Sequence, residues 1–110
     1  MTTPAFETAL SSFVVLANAR LNEYFERHFP NIPREVISVA AGGRKYAKLV
    51  ARRDDAGKGG CVYAFVDKKT GEIFKPASWA APAAHARGNV FSEYNGEEAL
   101  SDNGSHIRYL

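Results

Sequence analysis

At 110 residues the chain is long enough for one domain and too short for two. Its 45% hydrophobic and 12% aromatic content is enough for a core, and its 14 basic and 12 acidic residues exclude a disordered polyelectrolyte. No apolar run approaches the ~20 residues of a membrane helix, no secretory leader pattern is seen, and the single cysteine, Cys61, has no internal disulfide partner, which fits a reducing compartment.

Thr3-Pro4 predicts a helix start. Thr3 caps, and Pro4 suits the first helical position because its missing N–H would have had no partner there. Apolar groups recur at Phe6, Leu10, Phe13, Val14, Ala17, Leu21, Tyr24, Phe25 and His28, the spacing of a helix with one apolar face. Pro30 and Pro33 end it, so the expected span is 4–29.

From Val36 the period changes to two. Val36–Ala40 is expected as a strand, Ala41-Gly42-Gly43 as a turn, and Arg44–Arg53 as a second strand. One face of that strand carries Arg44, Tyr46, Lys48, Val50 and Arg52. The other carries Lys45, Ala47, Leu49 and Ala51 and is expected to face the helix. The Gly-rich stretch Asp54–Gly60 is expected as a loop. Cys61–Asp67 has two apolar faces, Cys61/Tyr63/Phe65 and Val62/Ala64/Val66, and reads as a central strand with a buried, inert thiol. Asp67–Gly71 is a hairpin turn and Glu72–Lys75 a fourth strand stopped by Pro76. The expected fold is thus α+β. The long N-terminal helix packs on a four-stranded antiparallel meander (36–75), followed by an extended Trp/Pro segment (76–90) and an acidic C-terminal segment (91–110). A short helix over Pro82–Ala86 is the weaker option within the Trp/Pro segment. Asn95-Gly96 and Asn103-Gly104 suggest turns, and His106–Leu110 a last strand or a docking tail.

Chemistry-bearing motifs are few. Gly57-Lys58-Gly59-Gly60 lacks the spacing, the Ser/Thr and the following helix of a phosphate-binding loop. His28, His85 and His106 are too dispersed for metal-ligand spacing, so no metal or cofactor is expected. Asp54-Asp55 is a carboxylate pair in a loop, where solvation is the usual fate. Ser78 and His85 lack a nucleophile elbow, so no enzyme is expected.

Charge is more informative. Residues 34–90 carry eleven basic and five acidic groups, whereas residues 91–110 carry one basic and four acidic. A field of this kind attracts phosphates or an acidic partner. Arg44, Lys45, Lys48, Arg52 and Arg53 line one strand, and Lys58, Lys68, Lys69 and Lys75 lie in neighbouring loops and strands. Tyr46 lies among them and Trp79 and Arg87 follow. Cations interleaved with aromatic faces are what nucleic-acid surfaces use. The competing reading is a solvated face whose cations prevent edge aggregation. For Trp79 the choice lies between a core anchor and a contact residue.

The run Tyr63–Lys75, with Asp67-x-x-Thr70-Gly71, continues through Lys75-x-Ala77-Ser78-Trp79-x-x-Pro82 to Arg87-Gly88-Asn89. It resembles small uncharacterised proteins of tailed bacteriophages, which carry lysines where alanines stand around Trp79 and Pro82 here. The resemblance covers about a quarter of the chain and implies a setting, the cytoplasm of a host bacterium or a virion, with no activity attached. The leading expectation is a nucleic-acid-binding protein contacting DNA or RNA through Arg44, Lys45, Tyr46, Lys48, Arg52, Arg53, Trp79 and Arg87. The alternative is an interaction module, a virion component or an inhibitor of a host protein, that uses the Trp79–Asn89 segment, with a homo-oligomer as one form of it. A membrane is not an expected partner.

Overall fold

The helix α1 spans Pro4–His28 and buries Phe6, Ala9, Leu10, Phe13, Ala17 and Leu21 on one face. Pro4 takes the first helical position, as the sequence predicts; the expected Thr3 cap lies outside the described residues. This computed structural model describes residues 4–31, 34–40, 43–53, 60–102, 104 and 106–107. The Phe29 N–H still donates to the Phe25 carbonyl (2.8 Å) before Pro30 turns the chain away. His28, expected on the apolar face, is exposed and stacks at a tilt on Tyr24 (ring centroids 4.9 Å). No described helix is long and apolar enough to cross a membrane.

Among the described residues five strands follow: β1 (Glu35–Val39), β2 (Tyr46–Arg53), β3 (Cys61–Asp67), β4 (Glu72–Pro76) and β5 (Pro82–Asn89). They form one antiparallel sheet in sequence order, β1-β2-β3-β4-β5. The α+β class stands, but the four-strand count does not. The segment expected to be extended, or helical over Pro82–Ala86, is a hairpin loop and a fifth strand. Pro76 pairs with Pro82, and the Ala77 and Ser78 N–H groups both donate to the Ala81 carbonyl (2.9 and 3.2 Å). Proline fits here because Pro82 opens a strand and β5 is an edge, where a missing donor costs no ladder bond.

The β3–β4 turn is built as its sequence suggests. Asp67 Oδ1 accepts the Lys69 and Thr70 N–H groups (2.8 and 3.0 Å), and Gly71 closes the turn at φ 81°, a conformation that favours glycine.

Alternation in β2 divides the sheet as expected. Ala47, Leu49 and Ala51 join the core under α1 together with Ile37, Val66 and Ile73. Tyr46, Lys48, Val50 and Arg52 lie on the face away from the helix. In β3 the alternation breaks. Leu49 pairs with Ala64 but Val50 pairs with Val62, so Tyr63 is the extra residue of a β-bulge. Tyr63, Ala64 and Val66 therefore all reach the helix-side core, while Phe65, paired with Lys48, lies on the opposite face. The faces predicted for β3 from strict alternation are corrected by this bulge. Cys61 is also corrected: at the strand's start its side chain is exposed, not buried.

The acidic C-terminal segment is part of the core rather than a tail. Val90, Ala99, Leu100 and Ile107 are fully buried, and Leu100 bridges Ile107. Asn95 (φ 54°) and Gly96 (φ 89°) make the turn expected there. A Cβ on Gly96 would come within 2.6 Å of Ile73 Cδ1 and 2.8 Å of Phe13 Cδ1, so this turn lies close against both layers. Arg20 on α1 holds Glu97 (3.1 Å) and the Ser101 carbonyl (3.1 Å). At the far edge Asn18 donates to the Ile37 carbonyl (2.9 Å) and accepts its N–H (2.8 Å), which occupies part of the open edge of β1. The expected Asn103 turn position and the strand beyond Ile107 lie outside the described residues.

Tyr63 ties β3 to this C-terminal segment: its phenol donates to the Gly104 carbonyl (2.6 Å). Burial pushes that phenol well above its ordinary 10.0, and the nearby Arg20 charge offsets only part of the rise. The neutral phenol therefore stabilises the fold below about pH 10, and this contribution is lost as pH climbs above the unfolded-state value. At pH 8, Tyr63→Phe is expected to lose about 1 kcal/mol. Urea melts of both proteins should show that gap closing by about pH 11; a constant gap would contradict the buried neutral phenol.

Candidate nucleic-acid interface

The face of the sheet away from α1 carries a groove of about 510 Å³. Tyr46 and Phe65 line its floor, and Phe74 on β4 supports Tyr46. Tyr46 on β2 meets Phe65 on β3 (centroids 6.0 Å, 75°) and Phe74 on β4 (6.0 Å, 86°), both edge to face. Phe65 is buried although it lies outside the helix-side core, so this face has a small apolar layer of its own. Phe65 in the groove and Phe74 packed against Tyr46 are the aromatics that sequence reasoning missed. Phe74 was legible from its alternation with the buried Ile73. Phe65 was not, because both faces of β3 read as apolar and alternation alone did not say which one met the helix.

The rim is cationic. Arg44 and Lys45 stand at the entry to β2, with the Lys45 ammonium 5.3 Å from the Tyr46 ring centre. Lys68 fastens this corner: its ammonium donates to the Gly43 carbonyl (2.7 Å) and its N–H to the Lys45 carbonyl (2.9 Å). Across the groove the β4–β5 loop folds Trp79 back over β2, placing the Lys48 ammonium 3.9 Å from the indole centre. Trp79 is 56% exposed, which overturns the core-anchor reading and leaves it as a surface aromatic held by a cation.

Of the eight residues expected to form the site, the structure brings five into one groove: Arg44, Lys45, Tyr46, Lys48 and Trp79. Arg52 lies further along β2 on the same face, opposite Val36. Arg53 ends the strand opposite Glu35, on the other side of the pleat. Arg87 belongs elsewhere. Burial, and secondarily the Arg87 charge, lower the pKa of Lys75, whose ammonium donates to the carbonyl of core residue Ile107 (2.6 Å). Lys75 therefore belongs to the helix-side corner, with the Arg87 charge near it, and neither lines the groove. Lys58 lies outside the described residues.

The model of a family of unknown function, DUF7717, matches residues 10–110, so the chain belongs to that family. No curated protein and no solved structure matches it. The match spans β1 to β5 and the C-terminal segment, so every groove residue falls within it.

Because Trp79 is the only tryptophan, its emission reports the groove directly. It should be red-shifted, as for a solvated indole, and more accessible to iodide than to caesium because cations surround it. Lys48→Ala should reduce that preference. A blue-shifted emission that resists acrylamide would contradict the placement of Trp79.

Proposed function

We propose that this chain is a small nucleic-acid-binding protein that uses the outer face of its sheet. The reading is carried by the interleaving of cations and aromatic rings in one groove, with the Lys48 ammonium against Trp79 and Arg44, Lys45 and Tyr46 beside them. Phosphates are neutralised by Arg44, Lys45 and Lys48, with Arg52 extending the row. Tyr46 and Trp79 offer ring faces to bases. The helix covers the opposite face, so the groove is free to receive a chain along β2. The likeness to small tailed-phage proteins supports a setting in an infected bacterium, with the host cytoplasm or the virion as the place of action.

A second reading has its own support. β5 is an edge strand, and the exposed Trp79 precedes it in the hairpin. Tryptophan is among the types that dominate protein interfaces, so the Trp79–Asn89 segment would dock on a host or virion protein, or on a second copy of this chain.

Binding to labelled DNA and RNA, followed by anisotropy across a salt series, separates the two. Nucleic-acid binding predicts affinity that falls steeply with salt, and a loss of at least tenfold in Arg44→Ala/Arg52→Ala at low salt. Failure to bind single- or double-stranded DNA or RNA at low salt would sink this reading. A concentration-dependent dimer on sizing columns, abolished by Trp79→Ala, would favour the second.

A further inference from the structure

We infer that the groove selects single-stranded nucleic acid by an exchange at Trp79: one unstacked base takes the ring face that Lys48 covers in the free protein, and the released ammonium turns to a flanking phosphate. This rests on the nucleic-acid reading of the same face and adds the strand type and the role of each partner.

Three observations point this way. First, the indole is more than half exposed, yet an ammonium lies 3.9 Å from its centre. That ammonium is a point charge on a flexible four-carbon stem, so it can move aside without disturbing the sheet, whereas a ring buried in the core could not be offered at all. Second, the cation against Trp79, Lys48, comes from the sheet. The loop that carries it, Ala77-Ser78-Trp79-Ala80-Ala81, has no ionisable side chain. A two-stranded ribbon entering the major groove of a duplex needs cations near its tip to meet the flanking phosphates, and this ribbon instead turns its tryptophan back onto β2. In a duplex the base faces are stacked on one another and only edges are presented, so Trp79 has nothing there to stack on. Third, the cations follow β2. Lys48 and Arg52 lie on one face of the strand, roughly 13 Å apart at the usual strand rise, and Arg44, in the bend before β2, extends the row. That suits an extended backbone of a few nucleotides lying along a strand.

The test uses the whole chain and equal-length probes: single-stranded DNA, single-stranded RNA and the DNA duplex, at low salt. Single strands should quench Trp79 emission and bind at least tenfold tighter than the duplex. Either sign of a DNA-versus-RNA difference supports stacking and names the strand used. Trp79→Ala, an exposed position, should weaken single-strand binding about five- to 150-fold with the salt slope unchanged, and Trp79→Phe should recover part of the loss. Lys48→Gln should keep the quenching but lower the slope of log affinity against log salt by about 0.7. Duplex binding as tight as single-strand binding, unquenched Trp79, or no loss in Trp79→Ala would overturn the inference while leaving a cationic nucleic-acid surface in place. No binding to any probe would overturn both.

Discussion

Everything in this fold follows from one constraint: a single helix covers one face of the sheet, and period-two alternation in β2 must meet it. Ala47, Leu49 and Ala51 are small or slender enough to lie beneath α1, beside Phe13 and Ala17. Tyr46, Lys48, Val50 and Arg52 are thereby forced to the other face. A slip of one residue would reverse every side chain. It would drive Lys48 and Arg52 under the helix, at a cost of several kcal/mol for each unpaired buried charge. The same packing that stabilises the core thus fixes a row of cations on the opposite surface. The basic face is a consequence of the fold and not an addition to it.

The bulge in β3 is the second determinant, and it links the two faces. Inserting Tyr63 opposite the Leu49/Val50 step brings it into the core beside Ala64 and Val66, while Phe65, between those two, keeps the outer face with its partner Lys48. On the inner side Tyr63 reaches Gly104, so the C-terminal segment is anchored to the central strand. On the outer side Phe65 becomes the floor on which Tyr46 rests. Without the bulge, Tyr63 would share the outer face with Phe65 and its tie to Gly104 would be lost. One extra residue therefore separates Tyr63, which closes the core, from Phe65, which floors the candidate site.

What was legible in the sequence was whatever local pattern decides. The helix stripe, the β2 alternation and the Asp67–Gly71 turn depend on neighbours within a few residues, and they appear as read except that His28 is exposed and the strand expected from Arg44 starts at Tyr46. What was not legible depends on partners far along the chain. β5 is Pro-Ala-Ala-His-Ala-Arg-Gly-Asn, a composition poor in strand formers, and it is extended only because β4 offers it a ladder. The burial of Val90, Leu100 and Ile107 could not be inferred from an acidic segment broken by turns, since α1 and the Gly96 turn supply the surface they fill. Arg87 looked like part of the basic set because its charge was counted without its side of the pleat. Lys75, counted only as a neighbouring cation, has a carbonyl partner on Ile107 that shows which layer it serves.

The resting contact between Lys48 and Trp79 then has a physical rationale that does not depend on which partner the face takes. An exposed indole on an open sheet is an aggregation liability, and a cation over its ring adds charge where an apolar patch would otherwise stand. A partly exposed cation–π contact is worth about 0.5–1 kcal/mol. A stacked base contributes about 1–3 kcal/mol, and a phosphate meeting the freed ammonium adds a salt-sensitive term of its own. The ring is thus held weakly enough to be given up and strongly enough to be masked when nothing is bound. A tighter clamp, such as a carboxylate paired to the same ammonium, would lock the groove in its empty form; none of the ion pairs seen among the described residues involves Lys48. On the proposed reading, the contact is set near the balance point at which a neutral, flat base can replace a flexible cation on the ring.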